Sequence, residues 1–200
     1  AQMAAHAKKL AAKYKLECTV LTDKQLKNQG YLPTYEVGRG SEFPPRMIVL
    51  RYKPSHRKVR EHIGLVGKGI TFDTGGLCIK GRTMHEMNSD MGGAAAVLGS
   101  MEAIARLKLP IRVTAVIGSA HNAVDGAAYH PGSIIKAKNG KTIYVENTDA
   151  EGRLVLTDCL YKAGEEKVDM IWDFATLTGS VANALGFAYA GLFTDDEELR

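Results

Sequence analysis

Cysteine is scarce, and its spacing excludes a disulfide framework. Cys18, Cys78 and Cys159 stand far apart, with no C-x-x-C pair. Three thiols cannot all pair, so they read as free thiols in a reducing compartment, and a cytoplasmic location is expected. No apolar run approaches the roughly 20 residues that a membrane helix needs, and no membrane partner is expected. The first residues, AQMAAHAKKLAAKYK, lack the continuous apolar stretch of a secretory signal. The chain opens on Ala rather than Met, which suggests a processed product or a piece of a longer protein. Charge of one sign is also in short supply. Lys plus Arg number 26 and Asp plus Glu 22, a net +4. A strong nucleic-acid binder makes roughly 6–10 phosphate contacts. Here the basic residues are scattered, without interleaved aromatics for base stacking, so nucleic acid is not expected as a partner. A G-x-x-x-x-G-K-[ST] phosphate loop is missing. The D-T-G triplet, Asp73-Thr74-Gly75, occurs once, whereas aspartic proteases need two such aspartates sharing a proton.

What is present is an ordinary globular composition, 45% hydrophobic and 24% charged over 200 residues. That length buries a real core without staples and is expected to form a single domain, 1–200. Residues 2–15 are rich in Ala and Lys and predict a helix. A strand follows at 17–22, then a short helix at 22–30 with Thr22 as N-cap and Gly30 as stop. Strands are predicted at 46–53, 62–72, 111–120, 142–147 and 168–176, with a polar connection at 53–61. Helices are predicted at 89–110, ended by Pro110, at 150–166 and at 178–186. Strands alternating with helices, several of them continuously apolar, predict an α/β fold. Its sheet is mostly parallel (mixed) and flanked by helices on both faces. Two polar loops, 73–88 and 121–141, follow apolar strands, and sites in such sheets lie beyond the carboxyl ends of strands.

Three segments fall at such ends: VGKGITFDTGG with Lys68 and Asp73, MNSDMGG with Asp90, and ENTDAEGRL with Asp149, Glu151 and Arg153. Taken singly, each has a structural explanation. Asp90 suits an N-cap, Asp149 and Glu151 suit a first helical turn, and Lys68 suits a surface. Together they are harder to dismiss. Asp149 and Glu151 are two apart, so in extended backbone both carboxylates point to one side. Four converging carboxylates repel unless protonated or bound to cations, and two divalent ions balance them formally. A lysine beside such ions loses its proton easily, so Lys68 could serve as a ligand. The histidines of the two loops, His85, His121 and His130, read as solvated loop residues, and His6, His56 and His62 lie outside those loops.

GKGITFDTGG, SDMGGAAAV, NGKTIYVENTDAEGRL and DFATLTG resemble, in order and spacing, the leucyl (cytosol) aminopeptidase family of dinuclear metallopeptidases, over residues 1 to 194. The resemblance implies a metallopeptidase-type catalytic domain that removes leucine-like N-terminal residues from peptides, using a water activated by two metals. It implies metal ligands at Lys68, Asp73, Asp90, Asp149 and Glu151, with zinc, manganese or magnesium as the ions. It implies that Lys80 stabilises the oxyanion and that Arg153 holds a bicarbonate acting as base. Met84, Met87, Thr176, Leu177 and Gly179 match substrate contacts, and a homo-oligomer, a hexamer, is the family precedent. The sequence departs from the family in a span from Lys80 to Asp90 that is one residue shorter. It lacks the family's N-terminal domain and is truncated at the C-terminus. Two alternatives stand beside this reading: a non-catalytic structural subunit derived from the family, and an added nucleic-acid-binding role.

Overall fold

The computed structural model describes residues 1–55, 59 and 61–199. His56, Arg57, Lys58 and Arg60, all in the expected polar connection, lie outside the described residues. The main sheet contains β1 (Glu17–Leu21), β2 (Arg46–Tyr52), β3 (His62–Asp73), β4 (Arg112–Asn122) and β7 (Met170–Phe174), in the order β1-β2-β4-β3-β7. β3 pairs parallel with β4 and with β7, whereas β2 pairs antiparallel with both β1 and β4. The sheet is therefore mixed, with β2 running against the other four. Two short strands, β5 (Ile134–Lys136) and β6 (Thr142–Tyr144), form a separate antiparallel pair.

The central strands are apolar without interruption because helices cover both faces. Alternate residues serve opposite layers. Val116 and Ala120 of β4 join Met47 and Val49 of β2 in one core, against Leu26, Val37, Leu154 and Val155. Those four lie on α2 (Asp23–Gln29), α3 (Leu32–Gly38) and α5 (Glu151–Glu165). Val113, Ala115 and Ile117 face the other core with Ile48 and Leu50, against Met3, Leu10, Val97 and Met101. Those belong to α1 (Gln2–Tyr14) and α4 (Gly92–Leu107).

Two close approaches set where these helices begin, and the site depends on both. A Cβ at Gly118 of β4 would lie 2.2 Å from Val155 Cγ1, so α5 seats directly on bare backbone. A Cβ at Gly93 would lie 1.9 Å from the Phe174 carbonyl oxygen, so the start of α4 packs flush on the end of β7.

Several expectations are corrected. Lys68 is not a surface residue: it is buried within β3, which runs through the expected strand 62–72 to Asp73. The loop expected at 121–141 begins with the last two residues of β4 and contains β5, and β6 stops at Tyr144. The loop expected at 73–88 begins with the last residue of β3 and runs into a 3-10 helix, Arg82–Ser89. α4 ends at Leu107, with Lys108 left-handed at φ 53°, before Pro110 is reached. α3 is an element the sequence reading does not contain. Its start is capped from another helix, since the Thr34 N–H donates to Asp158 Oδ2 of α5 at 2.7 Å. α2 is as expected: Thr22 and Gln25 form a capping box and Gly30 closes the helix at φ 81°. The last helix, α6 (Ser180–Leu185), is short. All three cysteines are free thiols.

Candidate metal centre

The carboxyl ends of β3, β4 and β7 and the start of α5 meet at one rim. β3 delivers Lys68 from mid-strand and Asp73 from its last residue. Asp90 closes the 3-10 helix, just before α4. It is not a helix N-cap, since Met91 holds that position and no side chain caps α4. Glu151 is the first residue of α5, and Asp149 sits in the turn before it. The two carboxylates therefore converge through a turn and a helix start, not through extended backbone. Lys68, Asp73, Asp90 and Glu151 are all buried, at 5% exposure or less.

Lys68 is clamped. Its Nζ lies 2.8 Å from Asp90 Oδ1 and 2.8 Å from Glu151 Oε1, and it donates to the Thr176 carbonyl at 3.0 Å. The Thr176 hydroxyl donates to the same Asp90 Oδ1 at 2.7 Å. Room for the lysine comes from Gly152, where a Cβ would lie 2.8 Å from Lys68 Cε. Burial is the largest influence on the Lys68 ammonium and opposes it. The charges and hydrogen bonds of Glu151 and Asp90 together outweigh burial, so its pKa is raised. Burial pushes both carboxyls up, Glu151 more strongly than Asp90.

Lys80 forms a second clamp. Its Nζ stands 2.9 Å from Asp73 Oδ2 and 2.5 Å from Asp149 Oδ1. Burial again opposes the charge, and the hydrogen bonds to Asp149 and Asp73 overcome it, raising the pKa. The 73–76 turn that leads to Lys80 uses Gly75 and Gly76 at φ 85° and 65°, the left-handed region where a Cβ is strained.

Each ammonium thus lies between two carboxylate oxygens, where a cation is favoured, and the two balance only half of the four carboxylates. Asp73, Asp149 and Glu151 each offer an oxygen, all within 4.8 Å of one another. Asp90 Oδ2 and Glu151 Oε2 are buried without a hydrogen-bond partner. Buried carboxylate oxygens without donors are costly, and a coordinated cation removes that cost. The donor set is hard oxygen plus one amine, which suits magnesium, manganese or zinc. The residues fit a divalent metal centre.

The other expected residues lie around this cluster with looser ties. Arg153 is exposed on the first turn of α5 and lines a cavity with Ile143, Tyr144, Glu146, Asn147 and Leu154. Met84 and Met87 are half-buried on the 3-10 helix. Leu177 and Gly179 are exposed between β7 and α6. Of the five expected substrate contacts, Thr176 is the one tied by hydrogen bonds to the cluster. His121 is corrected: it is in β4, half-buried, stacked on Phe43 at 5.9 Å and 3.1 Å from Ser41 Oγ through Nδ1. The sequence reading missed Asn122, Thr148 and Tyr129, which are buried at the rim and hydrogen-bonded to one another. Their available signals were an Asn closing an apolar strand and a Thr inside NTDAEGRL.

Comparison with known proteins finds relatives that match this chain over nearly its whole length. A "probable cytosol aminopeptidase" of Aquifex aeolicus is 55% identical over 194 residues, covering 96% of this chain and 39% of the relative. One from Solibacter usitatus is 48% identical, covering 99% and 42%. The solved apo structure of leucyl aminopeptidase from Trypanosoma cruzi superposes with a TM-score of 0.95 at 41% identity, over 98% of this chain and 39% of that one. The chain therefore spans about two fifths of the length of these relatives. The model of the cytosol aminopeptidase family, catalytic domain, matches residues 1–200, and the chain belongs to that family.

Proposed function

We propose that the protein is a metal-dependent aminopeptidase that hydrolyses N-terminal, leucine-like residues from peptides, with residues 1–200 acting as one catalytic domain. The observation that carries the reading is the convergence of Asp73, Asp149 and Glu151 within 4.8 Å, beside buried carboxylate oxygens that lack hydrogen-bond donors. Lys68, Asp73, Asp90, Asp149 and Glu151 would hold two divalent ions, zinc, manganese or magnesium. Such ions supply an activated water, a polarised carbonyl and an anchor for the free α-amine.

The chain's own residues do the rest. Lys68 must give up a proton to act as an amine ligand, a change favoured by cations and opposed by its carboxylates. Lys80 is a compact point charge held between Asp73 and Asp149, suited to an oxyanion that develops in the transition state. Arg153 presents a planar fork that matches a planar anion such as bicarbonate, which would accept the proton of the attacking water. Thr176, Leu177 and Gly179 would align the substrate backbone, and Met84 and Met87 would line the side-chain pocket. A cytoplasmic setting fits the word cytosol in the relatives' names, and a homo-oligomer, a hexamer, is proposed from the family resemblance alone.

Two variants test the assignment together. Glu151→Ala is expected to lose bound metal and leucyl-amide hydrolysis in step, because Glu151 pairs with Lys68 at 2.8 Å and offers an oxygen within 4.8 Å of Asp73 and Asp149. Lys80→Ala is expected to keep metal while turnover drops by roughly 10²–10³, the size of one oxyanion donor. Full metal and full rate in Glu151→Ala would contradict the ligand set. Undiminished turnover in Lys80→Ala would contradict its role.

A further inference from the structure

We propose that Asn122 is a positioning residue for the metal centre, fixing the Asp73 carboxylate and tying the 73–76 turn to the 148–149 turn; this rests on reading Asp73 as a metal ligand. Asn122 is fully buried at the end of β4, and its Cα partner across the parallel pair is Asp73. Its Nδ2 donates to Asp73 Oδ1 at 2.8 Å and to the Thr148 carbonyl at 3.0 Å. Both amide hydrogens are therefore used on acceptors. A carboxamide turned over would set Oδ1 against those two acceptors, so its orientation is forced.

Asp73 Oδ1 also accepts from the Gly75 N–H at 2.9 Å. With one oxygen held by two donors, the carboxylate cannot rotate, and Oδ2 is the oxygen turned toward Lys80. The Asn122 backbone joins in, because its carbonyl accepts from the Thr74 N–H at 3.0 Å and the Thr74 hydroxyl at 2.8 Å. Thr148 closes the circuit: its hydroxyl donates to the Gly75 carbonyl at 2.7 Å and accepts from the Cys78 N–H at 2.8 Å. Asn122 Oδ1 makes no hydrogen bond, and a Cβ at Gly76 would lie 2.9 Å from it. A buried amide keeps an unpartnered oxygen here because its two donors are committed to the site.

Zn²⁺ dissociation constants, read by chelator competition, test this on the wild type, Asn122→Ala, Asn122→Leu and Tyr129→Phe, beside melting curves in chelator. Tyr129→Phe is the control: it removes the other donor to the Thr148 carbonyl, at 2.7 Å, and leaves the partners of Asp73 in place. Removing an outer-shell partner of a ligand typically weakens metal binding about 10–100-fold, and that loss is expected of both Asn122 variants. Tyr129→Phe is expected to bind like the wild type even where its melting temperature falls. Unchanged affinity in the Asn122 variants, or an equal loss in Tyr129→Phe, would overturn the inference while leaving the metal centre intact. If neither Asn122 variant melts cooperatively, the residue is a folding determinant and the positioning role fails. A wild type without Zn²⁺ affinity would overturn the metal centre itself, and this inference with it.

Discussion

Lys68→Met removes the ammonium that two buried carboxylates share. In the wild type its Nζ is 2.8 Å from both Asp90 and Glu151, and the side chains of all three are at most 6% exposed. Met matches the lysine stem in length and leaves no cavity of consequence. After the change Asp90 keeps the Thr176 hydroxyl at 2.7 Å, and Glu151 keeps the start of α5. Neither replaces a charge. Removing one member of a buried ion pair costs about 3–5 kcal/mol, because the survivor stays buried without compensation. In a chain of this size each kcal/mol moves the melting temperature by about 2–4 °C, so a fall on the order of 10 °C is expected. Both carboxyls already have raised pKa values from burial, and losing Lys68 raises them further. A carboxyl whose folded pKa exceeds its unfolded one binds protons more tightly when folded, so stability falls as pH rises through that range. The gap between wild type and variant should thus be widest near pH 8 and close toward pH 5. Urea unfolding with a chelator present, followed by the single tryptophan, reads this directly, since Trp172 packs against the α1–α4 core. A gap below about 1 kcal/mol at pH 8 would refute the buried clamp, as this is well under the cost of an unpaired buried charge. So would a gap that does not change with pH.

Gly93→Ala should cost about 3 kcal/mol or more, the upper range for overpacking, because its Cβ would meet the Phe174 carbonyl oxygen at 1.9 Å. Gly99→Ala in the same helix, exposed and with nothing within 4 Å, should instead stabilise by about 0.5–1 kcal/mol; equal effects in thermal melts would contradict the packing of α4 on β7. Asp158 is fully buried, with Oδ1 unpartnered, and burial pushes its carboxyl up to about 7. The folded chain therefore holds a proton that the unfolded chain, with a pKa of about 4, has released. Stability from this group is lost as pH rises from about 4 through about 7. Asp158→Asn should match the wild type near pH 4 and exceed it at pH 8 by about 2–4 kcal/mol in urea unfolding; a variant less stable at pH 8 would sink that reading.

The four carboxylates of the candidate site were legible because acidic residues are conspicuous between apolar strands and helices, and Lys68 because a lysine is conspicuous inside an apolar strand. Asp73, Asp149 and Glu151 do converge, although the local geometry joining 149 to 151 is a turn and a helix start rather than extended chain. Gly67 and Gly69 flank Lys68 inside the strand expected at 62–72, and the structure keeps both in β3. Gly67 admits α4, since a Cβ there would lie 2.9 Å from Ala94 Cα, whereas a Cβ at Gly69 would meet the Gly118 carbonyl oxygen at 2.8 Å. No local pattern announces such a close approach. The reversed direction of β2 is likewise silent, because a strand covered on both faces has the same apolar run in either direction. α3 escaped because its seven residues, LPTYEVG, have little intrinsic preference for helix and borrow their cap from Asp158. Asn122 and Tyr129 escaped because a buried polar side chain is defined by its partners, which are distant in sequence.

The cluster of lysines and carboxylates is proposed as a hydrolytic metal centre. The most direct measurement is hydrolysis of a leucyl chromogenic amide by the protein after chelation, and again after adding back zinc, manganese or magnesium. Turnover is expected to disappear with the chelator and to return with metal. Turnover that survives complete chelation would contradict the proposal, and so would a protein that binds metal at these residues and cleaves nothing.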